Sequence, residues 1–234
     1  SEDLDFSLIK PDPSFDLSKY EKAVVDTLKT YGFEAQIETK VKEQSAVQSA
    51  FIKGNTIKHL LAINAPEDIV KSFNAGKLLK IKFEVDTEPP LNFEEEQKLH
   101  LTPAPFMVKS MKPSSLFAGK LHAVLCRGWQ NRPKGRDWYD MVWYVQNKYE
   151  VDLIHLATRL IQSCKALQDA EIELPTETEL YTPELIINLL GTRVDTLDVE
   201  LAKQDVRRFI YDEKELDIWS KEFFSSLIQM IKFK

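Results

Sequence analysis

The alternation of apolar and polar positions divides this chain into two regimes. Up to about residue 112 the dominant period is two, the signature of strands with one buried face. Ser1 to Phe6 opens in that pattern: Leu4 and Phe6 alternate with Asp3 and Asp5, which predicts a strand buried on one side and carrying two carboxylates on the other. After the break at Pro11-Asp12-Pro13, Ser18 is expected to cap a helix with Tyr20, Val24, Leu28 and Tyr31 on one face, ending at Gly32. Glu34 to Thr39 and Ala46 to Lys53 read as an antiparallel pair of strands, followed by a turn at Gly54-Asn55, while Ile57 to Ile63 fits either strand or helix. Pro66 opens a short helix expected to end near Gly76. The cleanest alternation runs from Lys80 to Asp86, with Ile81, Phe83 and Val85 toward a core and Lys80, Lys82, Glu84 and Asp86 opposite. Charges so dense on one sheet face require open solvent or the floor of a polar cleft. Pro89-Pro90 closes that strand, Glu94-Glu95-Glu96 reads as a solvated turn, and Leu99 to Pro105 as an edge strand.

From Pro113 onward the period becomes helical. Helices are expected at about Ser115 to Arg127, Arg136 to Asn147, Leu153 to Gln168, Pro183 to Gly191, Val199 to Ile210 and Glu215 to Ile231, with Ser114 and Ser115 as caps of the first. The last carries an apolar stripe of Leu216, Trp219, Phe223, Leu227 and Ile231, suited to a core or to docking a partner. The pattern predicts an α+β protein: strands with interspersed helices over 1–112 and a helical domain over 113–234.

Composition narrows this picture modestly. With 234 residues, 43% hydrophobic and 29% charged, the chain can build a sizeable core. A formal charge of −6 argues against a broad nucleic-acid surface but leaves room for a local basic groove. Cys126 and Cys164 are expected as buried free thiols of a reducing compartment. No apolar run approaches the roughly 20 residues needed to span a bilayer, and no signal sequence is visible, so a cytoplasmic protein without a membrane partner is expected. A start at Ser, inside a motif, points to a processed, trimmed or incomplete product.

The candidate chemistry lies in two constellations. Asp3 and Asp5 on one strand repel each other, so they need a cation or generous hydration. Lys120 and Arg127, seven residues apart, fall on one helical face; Arg132 and Lys134 follow in a loop, and Asp137 and Asp140 stand i, i+3 on the next helix, where Arg136 can reach Asp140. These charges form either a surface ion-pair network or a cationic pocket for phosphates, with Lys120 as point charge and Arg127 as fork.

The S-E-D-L-D-F strand, the later acidic strand Ile81 to Asp86, the K-x-x-A-x-x-x-R helix from Lys120 to Arg127 and the K-G-R-D-x-Y-D segment from Lys134 to Asp140 together resemble the AbiEii family of nucleotidyltransferase toxins. The resemblance implies a minimal polymerase-beta-like nucleotidyltransferase core, a mixed sheet with flanking helices over 1–112, followed by a helical C-terminal domain over 113–234, binding Mg²⁺ and a nucleoside triphosphate. It further implies transfer of a nucleoside monophosphate to an acceptor such as tRNA, by a toxin or phage-defence effector of abortive infection with a cognate antitoxin or repressor. On it, Asp3 and Asp5 match the metal pair, Glu84 the third carboxylate with Asp86 as a rival, and Lys120 and Asp137 catalytic or nucleotide-handling positions; Lys120, Arg127, Lys134 and Arg136 are the expected nucleotide-binding residues. Two Mg²⁺ ions are expected on Asp3, Asp5 and Glu84. The family's Gly-Gly-Ser/Thr turn, which lies upstream of the D-x-D pair, is expected before the first residue here. A catalytically silent relative that binds nucleotide or a partner protein, and a phosphohydrolase using the same acids, are the alternatives.

Overall fold

The computed structural model describes residues 3–40, 45–127 and 134–234, which fall into two compact units, Ser1–Pro89 and Pro90–Lys234. In the first unit, β1 (Asp3–Ser7) leads to α1 (Ser18–Thr30), the hairpin of β2 (Ala35–Lys40) and β3 (Val47–Asn55), α2 (Thr56–Ala62), α3 (Glu67–Lys71) and β4 (Leu78–Asp86). The sheet order is β1-β4-β3-β2, with β1 parallel to β4 and the other pairs antiparallel. This is the mixed sheet that the resemblance implies.

The register sorts the side chains cleanly. Asp3 lies opposite Lys82, Asp5 opposite Glu84 and Ser49 opposite Glu84 on the other side, so these residues share one face. Leu4, Phe6, Ile81, Phe83, Val85, Ala50 and Ile37 take the other face. Its buried centre is small, built on Leu17, Ala50 and Val85. Leu4 and Phe6 remain 40% and 48% exposed, so the strand expected to be buried on one side is half covered. Leu4, Leu28, Ile52, Leu60, Leu79 and Ile81 help line an apolar cavity of about 440 Å³ on that face.

Several local expectations are corrected. Gly54-Asn55 ends β3 instead of turning, and the chain passes straight into α2, with Asn55 Oδ1 accepting from the Lys58 N–H at 3.0 Å. Ser18 lies inside α1 and does not cap it; Asp16 accepts the Ser18 N–H at 3.0 Å. Gly32 does end the helix, at φ 80°, a conformation open to glycine.

The second unit begins with the hairpin β5 (Glu95–His100) and β6 (Phe106–Met111). The acidic run therefore enters a strand, where Glu95 pairs with Lys109 at 3.0 Å. Then follow α4 (Pro113–Cys126), α5 (Gly135–Gln146), β7 (Glu150–Val151), α6 (Leu153–Ser163), α7 (Lys165–Gln168), α8 (Pro183–Thr196), α9 (Val199–Arg207), α10 (Lys221–Ile228) and β8 (Lys232–Phe233), with short 3-10 turns at Thr178–Leu180 and Glu213–Leu216. The helical period of the sequence thus becomes a helical C-terminal region. Its core runs from Phe117 and Leu121 through Trp138, Met141, Leu156 and Ile186 to Phe224. Phe117 stacks on Tyr144 with centroids 4.8 Å apart, and Trp138 meets Phe224 edge-on at 4.9 Å. Leu216, Trp219, Leu227 and Ile231 of the apolar stripe are buried in this core, although the predicted single helix is interrupted between Leu216 and Lys221.

Ser114 and Ser115 lie within α4, because Pro113 takes the first helical position. Ser115 is buried, donates to Asp152 Oδ2 at 2.8 Å and accepts the Glu94 N–H at 3.0 Å. Cys126 and Cys164 are joined as a disulfide with Cα atoms 5.0 Å apart, which corrects the expectation of free thiols. The long sequence separation concealed that the ends of α4 and α6 meet. Among the described residues, no helix is long and apolar enough to cross a membrane.

Candidate functional site

The first charged group is built by strand register. On the polar face of β1 and β4, Asp3 and Asp5 alternate with Leu4 and Phe6, and parallel pairing brings Asp5 beside Glu84. Glu84 Oε1 accepts from Ser49 Oγ at 2.9 Å, and its Oε2 lies 2.5 Å from the Lys82 ammonium. That hydrogen bond with Glu84, reinforced by the charges of Glu84, Asp3 and Asp5, holds the Lys82 pKa above its ordinary value. Asp86 is placed differently: it pairs with Ser7, and its Oδ1 accepts the Glu88 N–H at 3.0 Å in the turn that follows.

The donor chemistry of Asp3, Asp5 and Glu84 fits a hard divalent cation such as Mg²⁺, which prefers carboxylate oxygen. Their placement on one face of two paired strands fits it as well. Among the described residues, no three His, Cys, Asp or Glu side chains are drawn into a ready coordination cage.

The second group is built by helix packing. Lys120 projects from α4 and pairs with Asp140 of α5, Nζ to Oδ2 2.5 Å, with both side chains part exposed. Arg127, at the end of α4, forks onto Asp137, Nη1 donating to Oδ1 at 3.0 Å and to Oδ2 at 2.8 Å. Asp137 is buried, and burial pushes its carboxyl above the usual range against the opposing pull of Arg127 and Lys120. Lys134 precedes α5, where its carbonyl accepts the Asp137 N–H at 3.0 Å. Arg136 lies over the Phe209 ring at 4.5 Å, and Asp140 pairs with Lys120 across the helix pair, not with Arg136 along its own helix as the spacing suggested. Arg132 lies outside the described residues.

Three contacts fix this helix pair. Arg193 of α8 donates through Nε and Nη2 to the Leu125 carbonyl at 2.9 and 2.5 Å, satisfying the end of α4. The disulfide holds the next residue, Cys126. At the start of α5, a Cβ on Gly135 would stand 1.9 Å from the Ala202 carbonyl oxygen, so glycine is what lets α5 approach α9.

The family model described as "Nucleotidyl transferase AbiEii toxin, Type IV TA system" matches residues 1–219, a span that contains both charged groups. The chain belongs to this AbiEii family. A search of curated proteins finds no match. Membership gives the two groups a common context: a family of nucleotidyltransferase toxins from type IV toxin–antitoxin systems.

The residues singled out in the sequence thus form two local assemblies, Asp3, Asp5 and Glu84 on the sheet of the first unit, and Lys120, Arg127, Asp137 and Asp140 on α4 and α5 of the second. Sequence reasoning missed Lys82, Ser49 and Arg193 as partners. Lys82 was within reach of the alternation that puts it on Glu84's face; Ser49 and Arg193 depend on pairings distant in sequence.

Proposed function

We propose that this chain transfers a nucleoside monophosphate from a nucleoside triphosphate to an acceptor hydroxyl, with tRNA as acceptor and Mg²⁺ as cofactor, as a cytoplasmic toxin restrained by a cognate antitoxin. The observation that carries the reading is the register that sets Asp5 beside Glu84 and Asp3 on the same face.

On this reading Asp3, Asp5 and Glu84 hold the divalent ions, and Glu84 is preferred to Asp86 because the register sets Glu84 beside Asp5 and Asp86 beside Ser7. Bound Mg²⁺ supplies charge neutralisation at the phosphates and lowers the pKa of the attacking hydroxyl. The acceptor oxygen forms a bond to the α-phosphorus, the bond from that phosphorus to the pyrophosphate oxygen breaks, and the hydroxyl proton passes to the Glu84 carboxylate. Lys120, Arg127, Lys134 and Arg136 serve phosphate binding; the part-exposed Lys120 ammonium supports this assignment, since it can exchange Asp140 for an anion. Asp137 orients Arg127 through the forked pair.

The test is incubation of the chain with each labelled triphosphate, total tRNA and Mg²⁺. Labelled RNA is expected, with Asp5→Asn lowering transfer on the order of 10²-fold or more, the scale of removing one electrostatic stabiliser, at an unchanged melting midpoint. Transfer by Asp5→Asn at the rate of the parent chain rejects the proposal. Nucleotide binding without transfer would favour the silent relative, and release of nucleotide products without labelled RNA would favour a phosphohydrolase.

A further inference from the structure

The carboxylate face of the first unit carries a cation of its own. Lys82 stands two residues before Glu84 on β4 and opposite Asp3 of β1, so alternation and register put its stem on the face of Asp3, Asp5 and Glu84. Its ammonium is 2.5 Å from Glu84 Oε2, while Ser49 Oγ donates to Oε1 at 2.9 Å. Both oxygens of Glu84 are therefore engaged. Ser49 is a short neutral donor that a carboxylate can keep while binding a metal, whereas a lysine ammonium and a divalent ion compete electrostatically for the same oxygen. The Lys82 and Glu84 side chains are 38% and 25% exposed, so the lysine can swing into water without rearranging the strand.

We propose that Lys82 is the resident counter-ion of this face, which a divalent cation must displace from Glu84 before that carboxylate becomes a ligand. The inference rests on the metal-dependent reading above and adds that the chain's affinity for the ion is set in part by a residue that is no ligand. Removing the ammonium raises the net negative charge facing the incoming ion and spares it the cost of breaking the pair.

The experiment titrates Mn²⁺ against the full chain, reading free ion by electron paramagnetic resonance, in the parent, Lys82→Met, Lys82→Arg and Asp5→Asn. Lys82→Met is expected to bind Mn²⁺ about three- to tenfold more tightly, the scale of one part-exposed ion pair with the added charge. Lys82→Arg should stay within about twofold of the parent because it keeps the charge, and Asp5→Asn should lose binding. Melting curves establish that each variant is folded, and the rise in midpoint with Mg²⁺ should be larger for Lys82→Met than for the parent; Lys82→Gln replaces the methionine variant if that one does not fold. Parent binding that depends on Asp5 but is equal or weaker in Lys82→Met overturns the role of Lys82 and leaves the metal-dependent reading standing. No Asp5-dependent binding in either chain overturns both.

Discussion

In the first unit the carboxylates stand on an open sheet face whose reverse side is backed by Leu17, Ala50 and Val85 and by a large apolar cavity. In the second, Lys120, Arg127 and Asp137 hang from two helices whose other sides enter a core reaching from Phe117 to Ile231. The same kind of residue is thus positioned by two different means. Asp3, Asp5 and Glu84 are aligned by backbone register, which fixes their Cβ atoms but leaves the carboxylates to find partners such as Lys82. Arg127 and Asp137 are held by packing, with the carboxylate buried and the guanidinium forked onto it. A register-built site adapts to what binds it; a packed pair is complete beforehand.

The contrast is most sharply tested by equivalent truncations. Val124→Ala, at a fully buried position of α4, is expected to cost about 2–3 kcal/mol, against about 1–2 kcal/mol for Val85→Ala in the thinner sheet core. Urea unfolding measures both, and equal costs would erase the distinction. Next in size are the glycines of close approach. Gly135→Ala forces Cβ against the Ala202 backbone and should cost about 2–3 kcal/mol. Gly54→Ala meets first the His59 ring, a side chain that can turn aside, and should cost less than about 1 kcal/mol. A Gly135→Ala chain as stable as its parent would show that α5 is free to shift.

A separate effect is a pH dependence of the second unit. Burial, with Arg159 and Arg127 nearby, pushes His122 down to about 4. The unfolded chain then takes up a proton near pH 6.5 that the folded chain resists until about pH 4, so stability falls as pH drops through that window. The slope is expected to reach at most about 1.4 kcal/mol per pH unit. His122→Gln, which keeps a donor for Ser163 Oγ, should flatten this part of the profile in melting experiments from pH 7 to 4. An unchanged slope would assign the acid sensitivity to other groups.

The particular residues show why some of this architecture was legible. Lys80 to Asp86 alternates without error, so strand and facing both follow from the chain; β1 was readable as a strand for the same reason, while its parallel pairing with β4 was not. The helices of the second unit follow from their apolar period. What escaped depends on contacts far apart in sequence: Cys126 with Cys164, Arg193 with the Leu125 carbonyl, Ser115 with Asp152. The turn expected at Gly54-Asn55 failed for a local reason, since a glycine can equally serve a strand end pressed against the His59 ring. Asp140 illustrates a choice that spacing leaves open, because i, i+4 geometry offers Arg136 while the neighbouring helix offers Lys120. Motif order carried the family, and packing decided the partners.

The end of α4 has a consequence of its own. Helix ends ordinarily fray, yet here three successive residues are tied to three different elements: Leu125 through its carbonyl to Arg193, Cys126 through sulfur to Cys164, and Arg127 through its side chain to Asp137. A guanidinium mounted on such a tethered terminus has already surrendered most of its freedom during folding. An incoming phosphate would therefore meet an anchor post instead of a swinging arm, and little further entropy would be lost when the two engage.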